Sequence, residues 1–213
     1  MRKRVVVAVI LAVTLTALTY AETTSFFDLV ETGTPRQIQA AITQGADVNA
    51  RNQDGSTPLI YAAGSNANPE AIVVLLKAGA SIGARDNRGV TALMWAAGYN
   101  RNPEVIAALL NAGADLTARD KDNDTVLMYA AETNQNPKVI TVLLNAGADI
   151  NARDSNEMTA LMWAVWNNEN PEVTTTLLNA GADTRAKNKG GKRAIDYALE
   201  GTDVYRQLQG AAQ

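Results

Sequence analysis

The sequence predicts an all-α repeat solenoid, that is, a stack of helix-turn-helix units joined by hairpin-like loops. The prediction comes from residues that recur at a constant spacing of 34. Five of the six prolines fall on one such series, namely Pro35, Pro69, Pro103, Pro137 and Pro171. Two further series have the same spacing: Gly45, Gly79, Gly113, Gly147 and Gly181, and Thr57, Thr91, Thr125 and Thr159. Self-similarity at a fixed period of roughly 20–50 residues is the signature of repeat architectures.

Each unit is expected to hold two short helices. Thr91 opens the first helix as its N-cap, and Asn102 followed by Pro103 opens the second. Gly113 ends the second helix, as a glycine in the left-handed conformation does. Between the helices stand Asn66, Asn100, Asn134 and Asn168, where we expect asparagine to end the first helix with a positive φ. The polar residues 114–124 predict an extended excursion with a tight turn.

The composition excludes several classes of function. The chain has 213 residues, of which 46% are hydrophobic, and it contains neither histidine nor cysteine. Zinc fingers, disulfide frameworks, cysteine nucleophiles and imidazole bases are therefore excluded. Without Arg2, Lys3 and Arg4, 16 basic residues face 22 acidic ones, a net charge of -6. Such a balance does not favour binding to nucleic acid, which needs clustered lysine and arginine.

The N-terminus has the pattern of a secretory signal peptide, predicted to span residues 1–21. Three basic residues precede the uncharged residues 5–18, and Thr19 and Ala21 supply the small residues of a cleavage site. The apolar run is shorter than the roughly 20 residues that span a bilayer, although an uncleaved anchor stays an alternative. We therefore expect a periplasmic or secreted protein without membrane insertion once the signal is removed. The absence of cysteine suits an oxidising compartment.

Two motifs carry a resemblance to a known family. Residues 57–63 read TPLIYAA and residues 91–97 read TALMWAA, and Gly-Ala-Asp recurs at 45–47, 113–115, 147–149 and 181–183. These motifs resemble the ankyrin repeat, over about residues 25–208. The period is one residue longer than the family's usual value of about 33. Ile60, Met94, Met128, Met162 and Asp196 replace the family's motif histidine.

The hairpin glycine and the terminal units also depart from the pattern. Asn123 and Glu157 replace the glycine present at Gly55, Gly89 and Gly191. Because glutamate accepts positive φ less readily than asparagine, we expect the Glu157 hairpin to be strained or differently turned. We assign an N-terminal capping repeat to residues 22–51 and a C-terminal one to residues 188–213. Four complete repeats lie between them, at 52–85, 86–119, 120–153 and 154–187.

Candidate chemistry is sparse. The run from Asp120 to Asp124 resembles the start of a calcium loop, but Thr125 stands where the turn glycine belongs and Ala131 where the bidentate glutamate belongs. The repeated carboxylates occupy equivalent positions and do not form a convergent acid–base pair. No phosphate-binding loop or nucleophile elbow occurs in the sequence. We therefore predict no enzyme, no cofactor and no metal.

The candidate functional residues are those that the resemblance places at partner-binding positions. Ankyrin proteins typically bind through their hairpin tips and the concave side of their first helices. At the hairpins these positions hold Gln53, Asp54, Ser56, Asn87, Arg88, Val90, Lys121, Asp122, Asp124, Ser155, Asn156 and Met158. Near the C-terminal ends of the first helices they hold Tyr99, Glu132, Thr133, Trp166 and Asn167. The aromatic series Tyr61, Trp95, Tyr129, Trp163 and Tyr197 is better explained by packing between repeats.

The resulting expectation is a monomeric, non-enzymatic module that binds a protein partner of unknown identity. Val90, Met158, Tyr99 and Trp166 are larger or more apolar than solvated positions require, which is typical of interface anchors. Packing of Trp166 against the next repeat is an equally good explanation for that residue. Two alternatives stay open: an exported effector that acts on another cell, and a scaffold that binds an ion or small ligand at Asp120 to Asp124.

Overall fold

The computed structural model describes residues 25–211, so the predicted signal peptide, residues 1–21, lies outside the described residues. Eleven α-helices and one short 3-10 helix make up this part of the chain. Extended pairing between residues 25 and 211 is limited to two isolated bridges, Arg85 with Thr91 and Arg119 with Thr125. None of the helices in this range is long and apolar enough to cross a membrane. The predicted all-α solenoid is confirmed.

The helices follow one another in pairs, and each pair lies within one of the predicted units. The first helices are α1 (Phe26–Thr32), α3 (Pro58–Ser65), α5 (Ala92–Tyr99), α7 (Val126–Thr133) and α9 (Ala160–Asn167), followed by the 3-10 helix (Ala194–Tyr197). The second helices are α2 (Pro35–Thr43), α4 (Pro69–Lys77), α6 (Pro103–Asn111), α8 (Pro137–Asn145), α10 (Pro171–Asn179) and α11 (Asp203–Ala211). First helices pack on first helices and second helices on second helices along the stack. The result is a two-layered array.

The helix ends follow the predicted capping chemistry. The Thr91 hydroxyl accepts a hydrogen bond from the Met94 amide at 3.3 Å, which satisfies a free N–H of α5. The Asn102 side chain accepts one from the Glu104 amide at 3.0 Å, and Pro103 then occupies the first turn of α6. Gly113 follows the helix with φ 87°, in the left-handed region. Each complete unit repeats this arrangement.

The core lies between the two layers of helices. Its largest fully buried side chains recur in register and include Leu59, Leu93 and Leu127 from the first helices and Leu75, Leu109 and Leu143 from the second. Burial of one such leucine stabilises the fold by roughly 1.5–3 kcal/mol. Paired alanines such as Ala96 and Ala97 are fully buried as well, and their small side chains let neighbouring first helices approach closely. Every repeat therefore completes its core only against the next one.

The asparagines between the helices end the first helices as predicted, but their backbone conformation differs from the predicted one. Their φ angles lie between -77° and -86°, so the expected positive φ is wrong. The side-chain amide of Asn100 instead donates to the carbonyls of Ala63 and Asn66 at 3.0 and 2.9 Å. Its oxygen accepts from the Asn102 amide at 3.0 Å. One buried side chain thus satisfies carbonyls at the end of the preceding first helix, and Asn66, Asn134 and Asn168 do the same.

The hairpins are joined to one another by hydrogen bonds. The Lys121 amide donates to the Arg88 carbonyl at 3.0 Å, and the other consecutive tips are linked in the same way. Arg85 donates to the carbonyls of Gly89 and Arg119 and so ties its own hairpin to the following one. Arg51, Arg119 and Arg153 also reach the next repeat. The loops therefore form a continuous edge along the array.

Two hairpins hold a residue other than glycine in the left-handed conformation. Asn123 has φ 63° and Glu157 has φ 61°, close to the 74° of Gly55. The Glu157 hairpin is thus turned like the others, so of the two predicted outcomes the strained conformation is found and the different turn is not. For a side chain such as glutamate this conformation costs roughly 1–2 kcal/mol.

The C-terminal unit departs from its neighbours. Arg193 stands where the complete repeats have threonine, and its guanidinium cannot accept a hydrogen bond from a helix amide. The first helix of this unit is accordingly reduced to a single 3-10 turn at Ala194–Tyr197. Helix α11 then packs on α10 and closes the second layer.

Candidate partner-binding face

The hairpin tips and the C-terminal ends of the first helices border a common groove, which we call the concave face. A cavity of about 500 Å³ shows this at the first complete repeat, because hairpin residues Asp54, Asn87 and Arg88 line it together with Gly64 and Ser65 of α3, and the other repeats have the same register. Its remaining lining residues are Glu31, Ser56, Ile60, Tyr61, Asp86 and Trp95. A volume of this size accepts large side chains of a partner.

The sequence did not identify Gly64 and Ser65 as lining residues. A Cβ at Gly64 would stand 3.8 Å from the Trp95 ring, an ordinary contact, so the glycine leaves the floor of the cavity open without being required by the backbone. A comparison of equivalent positions in the repeats could have identified this part of the face. The positions equivalent to Gly64 hold Gly98, Glu132 and Trp166, and this change of size along one face marks a surface that differs from repeat to repeat.

Each repeat fastens its hairpin to its first helix through one aromatic side chain. The hydroxyl of Tyr129 donates to Asp120 Oδ2 at 2.8 Å, and the indole nitrogens of Trp95 and Trp163 donate to Asp86 and Asp154. In the units with asparagine the direction reverses, so that Asn52 donates to Tyr61 and Asn188 to Tyr197. Tryptophan can only donate, which explains why it is paired with aspartate. The aromatic series is half-buried and structural, as predicted.

Two aromatic side chains remain largely exposed on the concave face. Tyr99 is 54% exposed and lies against Trp95, with 5.0 Å between the ring centroids. Trp166 is also 54% exposed, although it stacks on Trp163 at 5.3 Å and contacts Tyr197 at 5.5 Å. The packing explanation for Trp166 is therefore confirmed, whereas its role as an interface anchor stays a prediction. Trp166 packs on the next unit and still presents an open ring.

Three of the predicted partner-binding residues are buried. Ser56, Val90 and Met158 are only 4%, 0% and 3% exposed. They occupy the position just before the threonine N-cap, where the side chain turns beneath the hairpin. The sulfur of Met158 there accepts hydrogen bonds from Asn188 and Tyr197. The apolar character of Val90 and Met158 reflects packing, and their assignment as contact residues was wrong. Ser56 is buried as well, but it lines the cavity of the first complete repeat.

The other predicted residues lie at or near the surface of the concave face. Gln53, Asp54, Asn87, Arg88, Lys121, Asp122, Asn156 and Asn167 are exposed, whereas Asp124, Glu132, Thr133 and Ser155 are partly buried. Several of them also join neighbouring repeats. Asn167 donates to Glu132 at 3.0 Å, and the Thr133 hydroxyl donates to the Gly98 carbonyl at 3.0 Å. The Ser155 hydroxyl accepts from Asn123 at 2.8 Å.

Asp124 occupies the same position as the three buried residues, yet it carries a charge. Its Oδ1 is fully buried, and no hydrogen-bond partner for it lies within residues 25–211. Burial of this carboxyl, together with the nearby carboxylates of Asp120, Asp154, Glu132 and Asp122, raises its pKa to about 7. The third complete repeat is therefore destabilised by a buried carboxyl oxygen without a hydrogen bond, which the neighbouring repeats do not have.

The loop from Asp120 to Asp124 is organised as a turn. One oxygen of Asp120 accepts hydrogen bonds from the amides of Asp122 and Asp124 at 2.9 and 2.8 Å. Its other oxygen is held by Tyr129, and burial and this hydrogen bond raise the pKa of the tyrosine hydroxyl. In the described part of the chain no three acidic side chains converge as metal ligands would. The structure thus gives the Asp120 carboxylate a turn-forming role.

The comparison with known families agrees with this geometry. The family model described as ankyrin repeats (3 copies) matches residues 26–120 and 100–188. No curated protein matches the chain. Ankyrin repeats generally mediate protein–protein interactions and are typically non-enzymatic. Since the matched residues cover most of the sequence and the helix pairs stack as the family requires, the chain belongs to the ankyrin-repeat family.

Proposed function

We propose that this chain is a non-enzymatic binding module that holds a protein partner on its concave face. The observation that carries the proposal is the pair of exposed aromatic rings, Tyr99 and Trp166, on the face that also contains the cavity. Exposed tyrosine and tryptophan are the side chains most often found at the energetic centre of interfaces. Singly exposed apolar residues are common, but these two rings are parts of aromatic clusters.

Rigidity supports the same proposal. Backbone hydrogen bonds join consecutive hairpin tips, and the arginine and asparagine side chains bridge every complete repeat to its neighbour. A face held in this way loses little conformational entropy when a partner binds. An open solenoid also offers a long contact surface without rearrangement.

The experiment is a crosslinking pull-down with purified residues 22–213 as bait. We expect Tyr99→Ala with Trp166→Ala to remove the dominant captured protein while the melting temperature changes by no more than about 3 °C. A double variant of the second helices, Glu104→Ala with Lys138→Ala, alters two exposed side chains away from this face and should capture the partner normally. Equal capture by all three baits would refute the proposed face. A large loss of melting temperature with intact capture would show that the two rings serve the core.

The proposal includes a location in the periplasm or outside the cell. It rests on the basic start, the short apolar run and the small-residue exit of residues 1–21. Fractionation of expressing cells tests it: the processed chain should appear in the periplasmic fraction or the medium. Accumulation in the medium and on a second cell type would favour the exported effector. Retention of the unprocessed chain in the cytoplasmic fraction would contradict both.

A further inference from the structure

The concave face is not uniform in charge. In the third complete repeat, residues 120–153, the groove contains Asp124 and Glu132 close to Asp120 and Asp154. Asp124 lines it by the repeat relation, because its equivalent Ser56 lines the cavity of the first complete repeat. The ion pairs found within residues 25–211 include none of these four carboxylates. This stretch of the face therefore carries uncompensated negative charge.

The two exposed aromatic rings lie on either side of this negative stretch. Tyr99 ends the first helix of the preceding repeat, and Trp166 lies near the end of the first helix of the following one. Packed helices lie roughly 8–10 Å apart, so the rings are separated by two such intervals, or about 20 Å. An extended segment covers that distance with about six residues at roughly 3.3 Å each. One segment can thus contact both rings with its centre over the carboxylates.

We propose that the partner is a protein with a basic segment, and that an arginine or lysine side chain at the centre of this segment pairs with Asp124. This inference rests on the proposed function. The apolar side chains of the same segment rest on Tyr99 and Trp166. A cation in the groove pairs with the partly exposed carboxylate of Asp124, which has no ion pair within residues 25–211 and whose buried Oδ1 has no hydrogen bond there. It also offsets the mutual repulsion of the surrounding carboxylates. The serine, valine or methionine found at this position in the other complete repeats has no charge with which such a cation could pair.

The test uses mixtures of nine-residue peptides whose central position is fixed as Arg, Lys, Gln or Glu and whose other positions are random. Each mixture is passed over the immobilised chain at pH 8 and low salt. We expect the Arg and Lys mixtures to be retained about tenfold more than the Gln mixture, and the Glu mixture least. Asp124→Ser, which copies the first complete repeat, should abolish that preference. Glu104→Ser removes the same charge from a second helix and should leave it intact.

A pH series and a comparison of two salts test whether the retention depends on the charge of Asp124. Retention of the Arg mixture should rise between pH 5.5 and pH 8 in the parent chain, because the Asp124 carboxyl, which faces Asp120, Asp122, Glu132 and Asp154, loses its proton over this range. The rise should be smaller in the Asp124→Ser variant. Calcium chloride and sodium chloride at equal ionic strength should weaken retention equally. Specific displacement by calcium would identify an ion site and overturn the proposal, as would equal retention of all four mixtures.

The failure of this inference differs from the failure of the proposed function. A captured partner that is lost with Tyr99→Ala and Trp166→Ala, but retained with Asp124→Ser, would leave the concave face as the binding site and reject the basic partner. A partner retained by every concave-face variant would reject the face itself.

Discussion

The second and third complete repeats have the same elements in the same register but fill one position differently. At that position the second repeat, residues 86–119, has Val90, which is completely buried. The third, residues 120–153, has Asp124 with a buried oxygen that lacks a partner within the described chain. Because the two backbones are equivalent, the valine shows what packing alone prefers there. The aspartate must be explained by something other than the stability of the isolated chain.

The largest effect is expected when the second repeat receives the same acid. Val90→Asp places a carboxylate beside Asp86, in a site with no exposed surface. We expect a loss of about 3 kcal/mol in the free energy of unfolding, since an unpaired buried charge is among the most costly changes. Thermal denaturation followed by circular dichroism at pH 7.5 should show a fall of about 6–12 °C. A fall below about 2 °C would mean that the position tolerates charge by itself.

The reverse exchange should stabilise the protein in a pH-dependent way. The Asp124 pKa of about 7 lies above that of an unfolded aspartate, so the folded state binds the proton more tightly. The destabilisation is therefore absent below about pH 4, grows as the pH rises to 7, and is constant above that. Asp124→Val should raise the stability by about 2 kcal/mol at pH 7.5, with allowance for the partly exposed carboxyl, and by less at pH 4.5. Melting curves at both pH values check this, and an equal gain at both would contradict it.

The hairpins provide a smaller contrast of the same kind. Glu157 and Gly89 hold the same left-handed turn, and only the glutamate carries a Cβ penalty there. Glu157→Gly should stabilise the fold by about 1 kcal/mol, because the exposed ion pair with Arg153 that is lost contributes little. Asn123→Gly is the matched control and should gain less, since asparagine accepts positive φ more easily. Denaturant titration of both variants measures the difference, and equal gains would refute the explanation.

The sequence allowed the architecture to be predicted because its signals are local and repeated. Thr91, Asn102 and Gly113 each act within a few residues of their own position, so capping chemistry alone placed the helix ends. The role of Asn100 could not be found in this way, since its amide bonds Ala63 and Asn66 in another repeat. A residue type that favours positive φ was therefore given the wrong conformation.

Prediction of the concave face failed at one position for a related reason. Val90 and Met158 follow polar hairpin residues and precede a polar cap, a setting typical of a surface loop. Their burial depends on how the hairpin rotates over the next first helix, which the sequence spacing does not reveal. Tyr99 and Trp166, by contrast, differ in size from the equivalent residues at the helix ends, and their rings are exposed as the prediction requires, while their contact with a partner stays a prediction. The departures from the repeat at Tyr99 and Trp166 lie on exposed residues, whereas those at Val90 and Met158 lie on buried ones.

The series of buried asparagines has a mechanical consequence. Each side-chain amide donates hydrogen bonds to carbonyls at the end of the preceding first helix, beginning with Asn66, which donates to Val30 and Gly33. After Asn168 the equivalent position is Thr202, whose hydroxyl donates to Leu199 within its own unit. Within the described residues, the C-terminal unit therefore lacks the side-chain hydrogen bonds by which the complete repeats bind the end of the preceding first helix. When the ends of the array are pulled apart, unravelling should start there and proceed toward the N-terminus, one repeat at a time.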